Sequence, residues 1–157
     1  MNMKKLILIL LMLPMLLKAQ QIPKNSDKII VVNQLTAEQN FIRAKQVLAD
    51  QDIAIAVQDR DIFQISTGQI RQSDNATFVY LINCREGKVS ITGTWSSNIG
   101  LNLGGITQGA STYSIKYKGL QKLLFNQMND FAKKLGNNIE YQSSVVNLPK
   151  KNNDDLY

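Results

Sequence analysis

Histidine is absent from the 157 residues, and cysteine occurs once. Without histidine there is no Ser-His-Asp or Cys-His machinery and no imidazole-bound metal. A single thiol excludes an internal disulfide framework and a thiolate zinc cluster. Charge is sparse, at 19% of residues, and 18 Lys+Arg against 12 Asp+Glu give a net +6. Long apolar runs are also lacking. The longest, Leu6 to Leu17, is interrupted by Pro14 and falls short of the ~20 residues that a membrane-spanning helix needs. What is there is 44% hydrophobic residues, ordinary for a globular chain, over a length that fits one domain.

The start of the chain reads as a targeting signal. Lys4 and Lys5 form a positive n-region, Leu6 to Leu17 a short apolar h-region, and Ala19 a small residue at the expected cut. Residues 1–19 are therefore expected to be a signal peptide and the protein to be periplasmic or secreted. Leu17, at the −3 position, is bulkier than the usual residue there. No cysteine follows the apolar run, so no lipid anchor forms at the cut. Lys4, Lys5 and Lys18 leave with the signal, and 18 basic residues less these three leave 15 against 12, a net of +3. That remainder is not clustered on one face as a nucleic-acid footprint would be, so no nucleic-acid partner is expected. Nor does the mature chain hold a membrane span.

Residues 20–28 form a polar leader with Pro23, expected to be loose. Residues 29–142 form a single α+β domain, and residues 143–157 a polar tail expected to be disordered. Ile29-Ile30-Val31-Val32 is β-branched and reads as a buried strand. Thr36 starts a helix, and Gln39 three residues on completes a capping box. Ala37, Phe41, Ala44 and Leu48 lie on one face of that helix, widened by Ile42 and Val47. The period then switches to two, with Ile53, Ile55 and Val57, a turn at Asp59-Arg60, and Phe63 and Ile65. Gly68 to Ala76 is polar and reads as a connection. Phe78, Tyr80, Ile82 and Cys84 line one strand face, Glu86-Gly87 turns the chain, and Val89, Ile91, Gly93 and Trp95 line the return. Lys88, Ser90, Thr92 and Thr94 make a wet opposite face. After the Gly-, Ser- and Asn-rich stretch 96–111, Tyr113, Ile115 and Tyr117 alternate as a further strand. Gly119 then opens a helix with a stripe of Leu120, Leu124, Met128, Phe131 and Leu135, reinforced by Leu123 and Ala132. Gly136 caps it, and Ile139 and Tyr141 offer a short closing strand.

The order β-α-β-β-β-β-β-α predicts a two-layer α+β sandwich, an antiparallel sheet with both helices on one face. This layout resembles small secreted proteins of Gram-negative bacteria that carry a domain with a TATA-box-binding-protein-like fold. The resemblance is carried by Lys18-Ala19-Gln20, Ile22-Pro23-Lys24-Asn25, Asp59-Arg60-Asp61-Ile62-Phe63, the hairpin from Tyr80 to Trp95, and Met128-Asn129-Asp130-Phe131-Ala132. It implies a fold and brings no activity and no functional residues. The Gly-rich stretch 96–111 departs from a compact version of the pattern. The fold name carries no implication of DNA binding, since function lives in sites.

Candidate chemistry is thin. Cys84 is either a reactive thiol or a small buried residue sharing a face with Phe78, Tyr80 and Ile82, and its parity favours burial. Gly100-Leu101-Asn102-Leu103-Gly104-Gly105 lacks the Gly-Lys-Ser/Thr ending of a phosphate cradle and reads as a connection. Asp59 and Asp61, and Asp50 and Asp52, are paired carboxylates at element ends, where Asp serves turns. Asn75-Ala76-Thr77 is a chance match to the glycosylation sequon. Trp95 and Tyr80 form either a binding patch or core, and their parity favours core. No catalytic, cofactor-binding or metal-ligating residue is assigned, and no cofactor is expected. The expected function is non-catalytic: a binding or interaction module of the cell envelope, meeting a protein or envelope component through its wet sheet face or the stretch 96–111. The alternatives are a periplasmic inhibitor of another enzyme, or a hydrolase using a Ser-Lys pair or carboxylates.

Overall fold

The structure is a computed structural model that describes residues 21–73, 76–97, 102–103, 106–107 and 111–144. The expected signal peptide and nearly all of the expected disordered tail lie outside the described residues. Ten strands and two α-helices follow in order: β1 (Lys28–Val32), α1 (Ala37–Asp50), β2 (Ile55–Asp59), β3 (Gln64–Thr67), β4 (Ile70–Ser73), β5 (Ala76–Arg85), β6 (Lys88–Ser97), β7 (Asn102–Leu103), β8 (Ile106–Thr107), β9 (Ser111–Ser114), α2 (Lys122–Leu135) and β10 (Ile139–Gln142). Eight of the described strands form one open antiparallel sheet: six follow the order β10-β1-β6-β5-β3-β2, and β4 adds to β5 and β9 to β6. β7 and β8 pair separately as a two-stranded piece.

The ten-residue strands β5 and β6 are the spine. Gly87 sits at φ 72 in their turn, a conformation that glycine adopts without a side-chain clash. Each strand is flanked end to end by two shorter ones. β1 pairs β6 from Lys88 to Thr92, and β9 takes over from Thr94 to Ser97. On the far side β3 pairs β5 from Leu81 to Asn83, and β4 takes over from Ala76 to Phe78.

Alternation builds the core. The register aligns Ile65, Ile82, Ile91 and Ile29 in one row across four strands, each fully buried. Cys84, Val89 and Val31 form the next row. Both helices close over this face. The capping box of α1 forms as its sequence predicts: Thr36 Oγ1 accepts from the Gln39 N–H at 3.2 Å, and Gln39 Oε1 accepts from the Thr36 N–H at 3.0 Å. Phe41, Ala44, Val47 and Leu48 are buried beneath it, as are Leu124, Phe125, Met128, Phe131 and Leu135 beneath α2. Gly93 leaves room for α2 to approach: a Cβ there would lie 2.7 Å from Ile115 Cδ1 and 3.2 Å from Met128 Sδ. One buried amide joins the layers, with Asn40 Nδ2 donating to the Arg85 carbonyl at 2.8 Å and Asn40 Oδ1 accepting from Asn33 Nδ2 at 2.7 Å.

Several expectations are corrected. The second half of the leader is hydrogen-bonded to the domain. Asn25 donates to the Tyr117 carbonyl, Tyr117 donates back to Ser26, and the buried Asp27 accepts from both the backbone N–H and the hydroxyl of Ser144 at 3.0 and 2.9 Å. The polar stretch from Gly68 contains β4, because Ile70 finds Phe78 across the sheet and packs on the core. Ile42 of α1 is 48% exposed and does not widen the buried stripe. The α2 stripe begins late: Leu120 and Leu123 are exposed, and Phe125, absent from the expected stripe, is fully buried. Among the described residues no helix is long and apolar enough to cross a membrane.

Candidate functional site

The exposed Leu120 follows from the backbone that precedes it. Lys118 is extended, and Gly119 turns at φ 49 into a short 3-10 turn over Gly119–Gln121 before the α-helix starts. The Gln121 side chain braces this turn by accepting from the Lys116 N–H at 3.0 Å. Helical phase therefore starts one turn later than the sequence pattern suggests. Leu120 is left at 98% exposure and Leu123, one turn on, at 58%.

Beside this crest lies an open groove of ≈ 700 Å³ at the end of the β6–β9 pair. Its floor is aromatic. Register sets Tyr113 opposite Trp95, with ring centroids 5.3 Å apart and planes inclined by 31°. Trp95 is half-buried against the core, while Tyr113 is 50% exposed. The Trp95 indole N–H is shielded from solvent and finds no hydrogen-bond partner among the described residues. Lys116, Lys118 and Leu120 complete the lining, and no carboxylate takes part. Lys122, at the foot of the helix, places its ammonium 5.0 Å from the centre of the Tyr117 ring.

Two other grooves contain ion pairs. Between α1 and β2, a groove of ≈ 480 Å³ is lined by Lys45 and by Arg60 and Glu38, which pair with each other at 2.7 Å. Along α2 and β10, in ≈ 560 Å³, Lys133 pairs with Asp130 at 2.9 Å and the Tyr141 hydroxyl donates to Asn129 at 2.9 Å. The sheet-end groove differs in holding lysines and no carboxylate among its described lining residues.

The residues singled out in the sequence fare differently. Cys84 is fully buried, and burial pushes its thiol up to about 12, against a smaller opposing pull from Arg85. A thiol held neutral in this way is a poor nucleophile. Tyr80 is core: it packs on Phe78 and Phe131 at 5.2 and 5.8 Å, and burial together with the nearby Asp130 raises its hydroxyl. Trp95 and Tyr80 therefore form no patch together, and the aromatic partner of Trp95 is Tyr113. Asp59 Oδ1 accepts from the Asp61 and Ile62 N–H groups at 2.9 and 3.2 Å, a turn role. Asp50 is the last residue of α1, and Asp52 follows it at φ 54. Among the described residues no three His, Cys, Asp or Glu side chains gather as a metal site. Of Gly100 to Gly105 only Asn102 and Leu103 are described, as β7. Asn75 of the sequon lies outside the described residues, and Ala76 and Thr77 belong to β5.

Sequence reasoning missed Tyr113 and Leu120 because both fit an apolar repeat. The spacing between Trp95 and Tyr113 says nothing about pairing. The one local signal was Gly119, which can start a turn as readily as it precedes a helix. The chain matches no protein-family profile and no curated protein.

Proposed function

We propose that the protein is an exported, non-catalytic binding module of the cell envelope, built on a TATA-box-binding-protein-like α+β domain, and that the sheet-end groove is its contact surface. The observation that carries this reading is the exposure of Leu120, at 98%, beside the half-exposed Tyr113 in a groove lined by lysines. Exposed apolar area costs about 25 cal/mol per Å² relative to burial, and an apolar cluster rimmed by polar groups marks an interaction site. Export is supported by Lys4-Lys5, the apolar run to Leu17 and Ala19. The non-catalytic reading is supported by the missing histidines, the buried neutral thiol of Cys84 and the turn role of Asp59.

A photo-crosslinking residue at position 120, expressed in the native compartment, tests the surface. A discrete adduct should form at 120 and be absent from a control at Ala49, an exposed position on α1. Equal labelling at both positions rejects the groove as a contact surface. N-terminal sequencing of the accumulated protein tests export, and an intact Met1 in the envelope fraction rejects it.

A further inference from the structure

We infer that the sheet-end groove and the crest beside it dock on an anionic lipid surface, with Leu120 and Leu123 entering the apolar boundary and lysines facing the headgroups. The inference rests on the groove being a contact surface and names what it contacts.

Three observations carry it. The first is shape. Leu120 lies in the 3-10 turn and Leu123 in the first turn of α2, at 98% and 58% exposure. Leu120 borders the groove, yet its side chain stands almost wholly in solvent. A fluid surface accepts protruding apolar side chains without a pre-formed pocket. The second is the aromatic floor. Tyr113, half-exposed and packed on the Trp95 ring, combines an apolar ring with a polar tip, the side-chain type favoured at the boundary between hydrocarbon and water. The third is charge. Lys116 and Lys118 line the groove beside Leu120, and Lys122, next to Leu123 in sequence, holds its ammonium over the Tyr117 ring; long lysine stems can lie on apolar surface while the ammonium groups face headgroups. No carboxylate occurs anywhere between Glu86 and Asp130. Between Lys88 and Lys116 the sequence has no charge of either sign. Apolar insertion together with cations facing anionic lipid is how a surface-bound segment attaches without spanning.

The chain has one tryptophan, and it lies in this groove. Trp95 fluorescence therefore reports contact here and is blind to attachment through the N-terminal apolar run. Vesicles of equal parts phosphatidylglycerol and phosphatidylcholine are compared with phosphatidylcholine alone, each also prepared with brominated acyl chains as quenchers. The expected result is a blue shift and quenching on the anionic vesicles only, weakening with added salt. Replacing Lys116, Lys118 and Lys122 together by Gln should lower partitioning by about a hundredfold, at ~1 kcal/mol per lysine. Leu120→Ser with Leu123→Ser should lower it about tenfold or more. Both variants alter exposed side chains and should keep the wild-type circular dichroism.

Co-sedimentation with vesicles while Trp95 stays unquenched overturns the inference, as does equal binding to neutral and anionic vesicles. A self-association that grows with concentration and is lost with Leu120→Ser assigns the crest to a second copy of the chain and also overturns it. If vesicles fail while the crosslink at 120 still yields a discrete protein adduct, the lipid class is wrong and the contact surface stands. If both fail, both readings fall.

Discussion

The two ends of the β5–β6 hairpin are built from the same alternation and end up differently. Near the Glu86-Gly87 turn, Cys84 and Val89 face each other at 0% and 1% exposure, beside Val31 and under the helices. At the far end Phe78 is still buried, its partner Trp95 is only half-buried, and Tyr113 beyond it is half-exposed. Strand alternation decides which face a side chain takes. Helix coverage decides whether that face stays dry. α2 begins only at Lys122, after a 3-10 turn, and among the described residues the inward face at the far end is the less buried one.

The comparison can be broken first at Phe131. It is 1% exposed against the Tyr80 ring, and Phe131→Ala should cost about 3–5 kcal/mol in denaturant unfolding. A loss below ~1 kcal/mol would mean that the dry half of the molecule is not close-packed. Gly93 lies where the two halves meet. Gly93→Ala drives a methyl against Ile115 Cδ1 and Met128 Sδ, both on fully buried side chains that must shift to admit it, and should cost about 1 kcal/mol. An unchanged unfolding midpoint would show that α2 can lift away from the sheet.

Cys84 sharpens the contrast through pH. Burial raises its pKa from 9.0 to about 12, so the fold favours the neutral thiol. That contribution is present in full below about pH 9 and is lost as the pH rises towards 12. Tyr80 is raised by burial as well and acts with the same sign. The urea midpoint should fall across this window, and less steeply in Cys84→Ala; a midpoint flat across it would place the thiol in contact with water. The smallest effect belongs to the open end. Leu120→Ser should change stability by no more than ~0.5 kcal/mol, since its side chain is nearly fully exposed. A larger loss would show that another part of the chain covers it.

Much of the dry half was legible in the sequence, because its signals are local. Phe41 and Leu48 lie at helical spacing, Ile82 and Ile91 at strand spacing, and Thr36 with Gln39 writes out its cap. The α+β class follows from those periods. The open end was not legible. Leu120 continues the i, i+4 series of α2 perfectly well as text, and only the left-handed Gly119 takes it out of phase. Tyr113 meets Trp95 through a pairing that is set by how the connection between β6 and β9 closes. The leader misled for a related reason. Ser26 and Asp27 are polar, but Tyr117, which donates to the Ser26 carbonyl, and Ser144, which donates to Asp27, lie far along the sequence.

The position of β1 has a consequence for synthesis. It is the first strand to leave the ribosome, yet its two neighbours are β6 and β10, the latter following the second helix. Until β6 arrives, Ile29, Ile30 and Val31 have no strand beside them, and until β10 arrives one edge of β1 remains open. A nascent chain therefore carries this apolar strand unpaired until β6 and with one open edge until β10, and unpaired edges are prone to aggregate. A chain that stops short of Ile139 never closes that edge, so premature truncation should yield insoluble protein rather than a smaller folded domain.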